Sequence, residues 1–169
     1  MKKPTKSALE NMFHSALKEL YYAEKKICKG LPKAISAARS GDLKNTLREH
    51  LGETKHHIKG LETIFDHLDK KPKAVRCEAI DSILAQVAQS IRAFGKTNGA
   101  DAALVYALQA AEHYEITRYG TLRMWADVLE WQDVQHILTH IRDQEWAADQ
   151  KMTAMAVATL NLRAATLLE

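Results

Sequence analysis

The sequence predicts one all-α domain, and three observations support this fold class. Ala and aliphatic residues are plentiful, while the 169 residues include only 7 Gly and 3 Pro, and this composition favours helices. Apolar residues recur at helical spacing in four long stretches and one shorter stretch, without the alternation typical of a strand. A chain of this length can bury a sizeable core. We therefore expect residues 1–169 to form a single helical domain.

The first long helix is expected to begin after Ser7, because Glu10, three residues further on, completes a capping box. The apolar stripe of this helix continues beyond Pro32, which therefore predicts a kink rather than an end. The stripe consists of Phe13, Leu17, Leu20, Tyr21, Ile27, Cys28, Leu31 and Ile35.

The second long helix follows residues 40–42, Ser-Gly-Asp, where a helix stop is followed by a new cap. Its stripe consists of Leu43, Leu47, Leu51, Ile58, Leu61, Phe65 and Leu68. Residues 70–73 form a charged break that contains a proline, and a shorter helical pattern covers residues 77–94. Residues 95–99, with glycine at both ends, predict a loop.

The third long helix is expected to be capped by Asp101, and the fourth to begin after a break at residues 130–132. Short connections make each helical hairpin antiparallel. The segment of residues 70–100 is long enough to cross the molecule and set the second and third long helices side by side in the same direction. These features predict a ferritin-like four-helix bundle with an additional short helix in the crossover.

The composition also limits the function. The formal net charge is +3 without a long basic run, so nothing favours nucleic-acid binding. No stretch is apolar enough to span a bilayer, and the basic residues 1–6 are not followed by the apolar core of a signal peptide. Cys28 and Cys77 lack a metal-binding spacing and are expected to be reduced thiols. A cytoplasmic location without membrane partners is therefore expected.

Six acidic residues fall on, or at the edge of, the apolar stripes of the four long helices. They are Glu24, Glu53, Glu112, Glu115, Glu145 and Asp149. Buried carboxylates lose hydration and repel one another, so such a group requires protons, cationic partners or a metal. At roughly 100° per residue, Glu24 falls in line with Leu20 and Ile27 on the first helix. Asp149 lies one turn beyond Glu145 and somewhat to the side.

The second long helix offers two sets of ligands. Glu53 and His56 match a Glu-x-x-His metal motif, but the helical phase places His56 nearly opposite the apolar stripe. His50 and His57 fall inside the stripe, and Glu53 lies at its border. We favour His50, Glu53 and His57, because a ligand must point at the metal. The sequence leaves open whether His56 or His57 faces the site.

Taken singly, each of these residues is more often a packed or hydrogen-bonded side chain than a ligand. Together, four helices aim carboxylates and imidazoles at one level, as in bundles that hold two metal ions. An oxygen-rich site with one or two histidines suits Fe or Mn. Tyr119 projects from the same stripe as Glu112 and Glu115.

Several short segments resemble the YciE/YciF-type bacterial stress proteins, a ferritin-like family. These segments occur in the family's order over nearly the whole chain, at residues 22–25, 49–54, 77–79, 112–116, 119–122 and 143–149. The resemblance implies a homodimer and a rubrerythrin-like dinuclear site. The implied carboxylate ligands are Glu24, Glu53, Glu112, Glu115 and Glu145.

The chain differs from the families that it resembles at two positions that concern nitrogen ligands. The family usually has Gln at the position of His57. Ferritins and rubrerythrins place His at the position of Ala148, where Asp149 is the substitute that this chain offers. The second metal position is therefore poorer in nitrogen, which weakens the case for fast peroxidase or ferroxidase chemistry.

Two functional hypotheses follow. In the first, two Fe or Mn ions act on oxygen, peroxide or Fe(II) itself as a di-metal oxidoreductase, with Glu53 and Glu145 as bridges and Glu24 and Glu112 as terminal ligands. Glu115 and Tyr119 then assist, Glu115 by moving towards the metals and Tyr119 by a hydrogen bond or electron transfer. In the second, the chain is a non-catalytic stress or interaction protein with an empty or degenerate site.

Overall fold

The computed structural model describes residues 7–166, and regular structure in this part of the chain is helical throughout. The elements in chain order are α1 (Ala8–Ala37), α2 (Gly41–His67), α3 (Glu78–Phe94), α4 (Ala100–Val128), α5 (Gln132–Met155), a π-helical turn (Ala156–Leu160) and α6 (Asn161–Ala164). The all-α expectation is therefore confirmed. The basic segment of residues 1–6 lies outside the described residues.

Helix α1 begins with the capping box expected from the sequence. The Ser7 hydroxyl accepts a hydrogen bond from the Glu10 N–H at 3.1 Å, and the Glu10 carboxylate accepts one from the Ser7 N–H at 2.6 Å. The helix runs through Pro32 and ends at Ala37, so the proline does not terminate it.

The expectation that Asp101 caps the third long helix is wrong. The N-cap of α4 is Gly99, and Asp101 lies in the first helical turn. Its buried carboxylate accepts hydrogen bonds from the backbone N–H groups of Arg39 and Ser40, each at 2.7 Å. These donors lie in the turn between α1 and α2, where they have no partner within a helix. Asp101 therefore joins the start of α4 to the α1–α2 turn.

The long helices pack as two hairpins that face each other. Helices α1 and α2 form one hairpin, and α4 and α5 form the other. Across the two hairpins, α1 packs on α4 and α2 packs on α5, while α3 lies against α4 and α1. The expected side-by-side placement of the second and third long helices is wrong, because α2 makes its main contacts with α1 and α5. Helix α4 packs on α1 and α5 instead, so α2 and α4 lie diagonally across the two hairpins.

The apolar interior of the described residues has two parts. One part includes Ile27, Leu47, Ile80 and Leu104 and lies beside α3, and we call it the α3 core. The other lies towards the opposite ends of the hairpins, and we call it the aromatic core. It includes Phe13, Phe65, Tyr119 and Leu138. No helix in the described residues is long and apolar enough to cross a membrane.

Candidate metal centre

A layer of ionisable side chains lies between the α3 core and the aromatic core. Along each long helix of the two hairpins, its members fall between the residues of one core and those of the other. Each member is at most 3% exposed: Glu24, His50, His57, Glu112, Glu115 and Glu145. We call this set the polar layer. Ionisable groups so far from water require compensation by protons, by each other or by a bound cation.

Helical spacing explains why these side chains meet. His50 and His57 are seven residues apart on α2, which is two turns, so both project from one face. Glu112 and Glu115 are three residues apart on α4 and also share a face. Glu24 on α1 and Glu145 on α5 each contribute one carboxylate from the facing helices.

His57 contacts the layer with one ring nitrogen and a glutamine with the other. Its Nδ1 atom lies 2.8 Å from Oε1 of Glu145 and 3.3 Å from Oε1 of Glu24. Its Nε2 atom lies 3.1 Å from Oε1 of Gln144. An amide oxygen accepts hydrogen bonds, so this contact favours a proton on Nε2 and leaves Nδ1 available as a metal ligand. Such outer contacts commonly orient metal-binding histidines.

His50 is placed in a similar way at the other side of the layer. Its Nε2 atom lies 3.3 Å from Oε1 of Glu112 and 3.8 Å from Oε2 of Glu145. Its Nδ1 atom faces outward, 3.7 Å from Oε2 of Glu53. Burial alone would lower the pKa of His50, but the contact with Glu53 and the charge of Glu145 raise it.

The layer contains two overlapping groups of potential metal ligands. The first group is His50, Glu112, Glu115 and Glu145. The second is Glu24, His57 and Glu145. Within each group, one ligand atom from every residue lies within 4.8 Å of all the others. Glu145 belongs to both groups and therefore lies between them.

Many polar atoms of the layer have no aligned hydrogen-bond partner. Both carboxylate oxygens of Glu115 and of Glu145 lack one, as do Oε2 of Glu24 and Oε2 of Glu112. The short contact between His57 Nδ1 and Glu145 also lacks the alignment of a hydrogen bond, so it is an ionic contact. Buried polar atoms are rarely left without partners. A cation bound among these oxygens would satisfy them, so the residues fit a metal.

The pKa values show how the layer is compensated without a metal. Burial raises the pKa of Glu112 and Glu115 well above 4.5, and the charge of Glu145 adds to this effect. Burial alone would lower the pKa of His57, but its contacts with Glu145 and Glu24 raise it to about 10. Burial would raise the pKa of Glu145, yet the contact with His57 holds it below 4.5. Protons therefore neutralise much of the layer in the metal-free protein.

Tyr119 connects the polar layer to the aromatic core. Its hydroxyl donates a hydrogen bond to Oε1 of Glu24, and both side chains are fully buried. Burial and the nearby carboxylate of Glu24 raise the pKa of Tyr119 well above 10, so the hydroxyl keeps its proton. Burial also raises the pKa of Glu24, although His57 and Tyr119 oppose this shift. Tyr119 thus acts as a fixed donor to one carboxylate oxygen.

Residues 8–165 match the family described as Domain of unknown function (DUF892). The chain belongs to the DUF892 family. Protein YciF of Escherichia coli (strain K12) is 31% identical over 157 residues, which cover 92% of this chain and 95% of that protein.

Solved structures support the same relationship. The E. coli stress protein YciF matches with a TM-score of 0.85 and 30% identity, over 95% of this chain and 99% of that chain. YcfI of Rhodopseudomonas palustris, described as a candidate structural protein, matches with a TM-score of 0.84 and 37% identity, over 90% of this chain and 97% of that chain. A Xanthomonas campestris protein shares the fold at 18% identity and a TM-score of 0.73, over 93% of this chain and 96% of that chain. The resemblance to YciF-type proteins is therefore confirmed for this DUF892 chain.

The structure shows which of His56 and His57 faces the site, a choice that the sequence leaves open. His57 is 1% exposed and lies in the polar layer, whereas His56 is exposed and lines the surface between α2 and α5. Glu53 does not join the layer. Its side chain is 31% exposed, and it reaches only the outward nitrogen of His50. Glu53 projects from the border of the stripe, which is too far around α2 to point between the hairpins.

Asp149 is buried but also lies outside both groups of potential ligands. Its carboxylate accepts a hydrogen bond from Nε2 of Gln109 at 2.9 Å and lies 3.3 Å from Nε2 of His113. Both partners project from α4 beside α5. Asp149 projects from the side of the inward stripe on α5, so its carboxylate contacts α4 rather than the layer.

Gln144 contacts a member of the polar layer, although the helical pattern of the sequence does not single it out. It precedes Glu145 and lies about 100° around α5 from it, which turns it towards α2 and the outer nitrogen of His57. This contact depends on how α5 is aligned along α2. The sequence of a single helix does not determine that alignment.

Proposed function

We propose that this DUF892 protein is a ferritin-like stress protein whose polar layer binds two divalent ions, Fe or Mn. The observation that carries the proposal is the pair of overlapping ligand groups that share Glu145. Dinuclear carboxylate sites in helical bundles are likewise built from Glu and His side chains that project inward from four helices. The two facing hairpins, with α3 in the crossover, support the ferritin-like four-helix bundle.

The charges of the layer support two divalent ions rather than one. The layer has four carboxylates, and burial together with the charge of Glu145 raises the pKa of two of them, Glu112 and Glu115, well above 4.5. When all four are ionised and both imidazoles are neutral, two divalent cations balance the charge. Oxygen-rich ligand sets with a few imidazoles are typical of Fe and Mn sites.

Each ion has its own set of residues in this proposal. His50, Glu112 and Glu115 would hold one ion, Glu24 and His57 would hold the other, and Glu145 would contribute to both. Glu53 is no longer a bridge, since it contacts only the outward side of His50. Glu115 is a direct ligand here, because both of its oxygens already lie in the layer without partners.

The residues around the layer have separate tasks. Bound Fe or Mn would supply Lewis acidity and one-electron chemistry towards a small oxidant such as oxygen or peroxide, and Fe(II) is itself a possible substrate. Gln144 orients His57 so that Nδ1 faces the layer. Tyr119 holds its proton and donates to Glu24. The burial of all six members excludes bulk water from the site.

Anaerobic titration with Fe(II) or Mn(II) tests this proposal. We expect wild-type protein to bind about two ions per chain, and we expect Glu145→Gln to bind neither firmly. Less than one ion per wild-type chain would refute the dinuclear site.

Oxygen or peroxide consumption by the Fe(II)-loaded protein then tests catalysis. Light scattering tests the homodimer that the family resemblance implies.

A non-catalytic stress or interaction protein is the second candidate. It is favoured by the charge compensation of the layer, which protons and the His57 contacts supply without a metal. The description of YcfI as a candidate structural protein also fits this function. The two functions predict different effects of metal on the thermal stability of the protein. Metal binding predicts a melting temperature that rises with Fe or Mn and does not rise in Glu24→Gln/Glu145→Gln protein.

A further inference from the structure

A surface cleft between α2 and α5 leads inward to the polar layer. The cleft has a volume of about 520 Å³ and is lined by several imidazoles. His56 on α2 and His136 and His140 on α5 are exposed, while the buried His57 and the half-buried Gln144 lie at its inner end. We call this set the histidine cleft. None of its three exposed histidines belongs to the polar layer.

A glycine holds the two walls of the cleft close together. A Cβ atom at Gly60 would lie 3.2 Å from Cδ1 of Ile141 and 3.3 Å from Cγ2 of Ile137. The absence of a side chain on α2 therefore lets α5 approach at this point. His56 is one turn away on the same helix, so it faces the α5 wall across a narrow gap.

The two histidines of α5 are spaced as a metal-binding pair. His136 and His140 are four residues apart and project from the same face of the helix. Two imidazoles at this spacing can bind one divalent transition-metal ion together. His56 lies on the facing wall, so the cleft has imidazoles on both sides. The cleft therefore provides nitrogen ligands in positions that solvent ions can reach.

The inner end of the cleft connects directly to the layer. The Nε2 atom of His57 meets Gln144 at 3.1 Å, whereas its Nδ1 atom lies among the carboxylates of Glu24 and Glu145. One buried imidazole therefore spans the distance between the cleft and the layer. An ion that leaves His140 would next meet Gln144 and then this ring.

A second opening reaches the layer but suits ions poorly. A cavity of about 110 Å³ between α1, α3 and α4 reaches Glu112, and its walls include Leu31, Val87 and Leu108. A metal ion there would lose its hydration among aliphatic groups that offer no ligands. The histidine cleft replaces water with imidazole nitrogen instead. Of these two openings, the cleft is therefore the better route for a cation.

We propose that the histidine cleft captures a divalent first-row transition-metal ion at the surface and passes it inward past Gln144 and His57. The capture step stands on the exposed histidines alone, while the transfer step rests on the proposed function of the polar layer. The cleft is therefore a second metal site, distinct in its ligands from the buried one.

Capture is tested in Glu24→Gln/Glu145→Gln protein, in which the buried site lacks two carboxylates but keeps its shape. Substoichiometric Co²⁺ is added, and the histidine ring resonances are followed by NMR. We expect the rings of His136 and His140 to broaden first, while the exposed His67, which is outside the cleft, remains sharp. Equal broadening of His67, or no effect on His136 and His140, would overturn the capture site.

Transfer is tested by the rate of anaerobic Fe²⁺ uptake. His136→Ala/His140→Ala protein is expected to load about tenfold more slowly than wild type, the low end of what a raised local ion concentration contributes. After dialysis that removes ions from the exposed cleft, its Fe²⁺ content should equal that of wild type, and His67→Ala should load at the wild-type rate. An unchanged rate in the double variant would overturn the transfer step. A wild-type protein that never loads, while Co²⁺ still binds the cleft, would refute the buried site and leave capture supported.

Discussion

The hydroxyl of Tyr119 on α4 donates a hydrogen bond to the carboxylate of Glu24 on α1, and neither side chain is exposed. This bond joins the aromatic core to the polar layer, since Tyr119 belongs to the first and Glu24 to the second. The other oxygen of Glu24 has no partner. Together with the contact to Nδ1 of His57 at 3.3 Å, this bond fixes one oxygen of a carboxylate that the proposed function assigns to a metal.

Tyr119→Phe is expected to lower the free energy of unfolding of the metal-free protein by about 1–3 kcal/mol, because a buried carboxylate oxygen loses its donor. The loss should be smaller with Mn²⁺ bound, since the ion satisfies Glu24. Urea denaturation with chelator and with Mn²⁺ measures both values. Tyr106 is 76% exposed, so Tyr106→Phe is the matched control and should change stability by less than about 0.5 kcal/mol. Equal losses with and without Mn²⁺ would argue against Glu24 as a ligand.

Glu145→Gln and Glu24→Gln should differ in the number of ions lost. Glu145 belongs to both ligand groups, whereas Glu24 belongs to one. We therefore expect Glu145→Gln to lose both ions and Glu24→Gln to retain one. Equilibrium dialysis followed by elemental analysis gives the metal content per chain. If both variants retain the same content, Glu145 does not lie between two ions.

Glu53→Gln tests a carboxylate that stands outside the layer. Glu53 contacts only the outward Nδ1 atom of His50, so it should orient that ligand rather than bind metal. We expect an unchanged number of ions and an affinity lower by about 10–100-fold, as for other residues that support metal ligands. Isothermal titration calorimetry with Mn²⁺ measures the number of bound ions and their affinity separately. Loss of one ion would mean that Glu53 moves inward and binds directly.

The metal-free protein should become less stable as the pH rises. Burial raises the pKa of Glu112 and Glu115 above 4.5, and the carboxylates around His57 raise its pKa from 6.5 to about 10. A group with a raised folded pKa stabilises the fold fully below its unfolded pKa and loses this effect as the pH rises through the folded value.

Thermal unfolding with chelator should therefore show a melting temperature that falls between about pH 5 and pH 10. The same protein with Mn²⁺ should show the opposite trend over the lower part of this range, because metal binding displaces protons from the ligands. Calorimetric titrations in buffers of different ionisation enthalpy would detect these released protons. A flat profile without metal would contradict the assigned protonation states.

Asp101→Asn should weaken the fold without affecting metal binding. The Asp101 carboxylate accepts hydrogen bonds from two backbone N–H groups, at Arg39 and Ser40. Asparagine has one accepting oxygen, so one buried donor loses its partner at a cost of about 1–3 kcal/mol. Asp42→Asn is the matched control, because Asp42 is an exposed acid in the first turn of α2. Urea denaturation compares the two variants, and a changed metal content in Asp101→Asn would show that its effect reaches the layer.

Helical phase predicted the inward residues well where they lie at the centre of a stripe. The phase difference between His56 and His57 is about 100°, large enough to decide which one is buried. Glu53 lies at the border of its stripe, where a small rotation of α2 decides between the layer and the surface. The sequence could not fix that rotation, because it depends on which helices flank α2.

Contacts between helices were harder to predict than the phase of one helix. Asp101 has the first-turn position of a capping acid, but its partners come from the α1–α2 turn. Asp149 faces Gln109 and His113 on α4, and Gln144 faces His57 on α2. Each pair is more than thirty residues apart, so its register is set by tertiary packing of the whole molecule.

The division of the interior into the α3 core and the aromatic core has a consequence for cooperativity. Two apolar regions joined through ionisable groups can open separately, as local unfolding units, when that junction is weak. Ions shared between residues of all four long helices would couple the two regions. In hydrogen exchange, amides of α3 and of the first half of α1 would then report the same opening free energy only after metal is bound. The polar layer thus determines whether the chain unfolds as two units or as one.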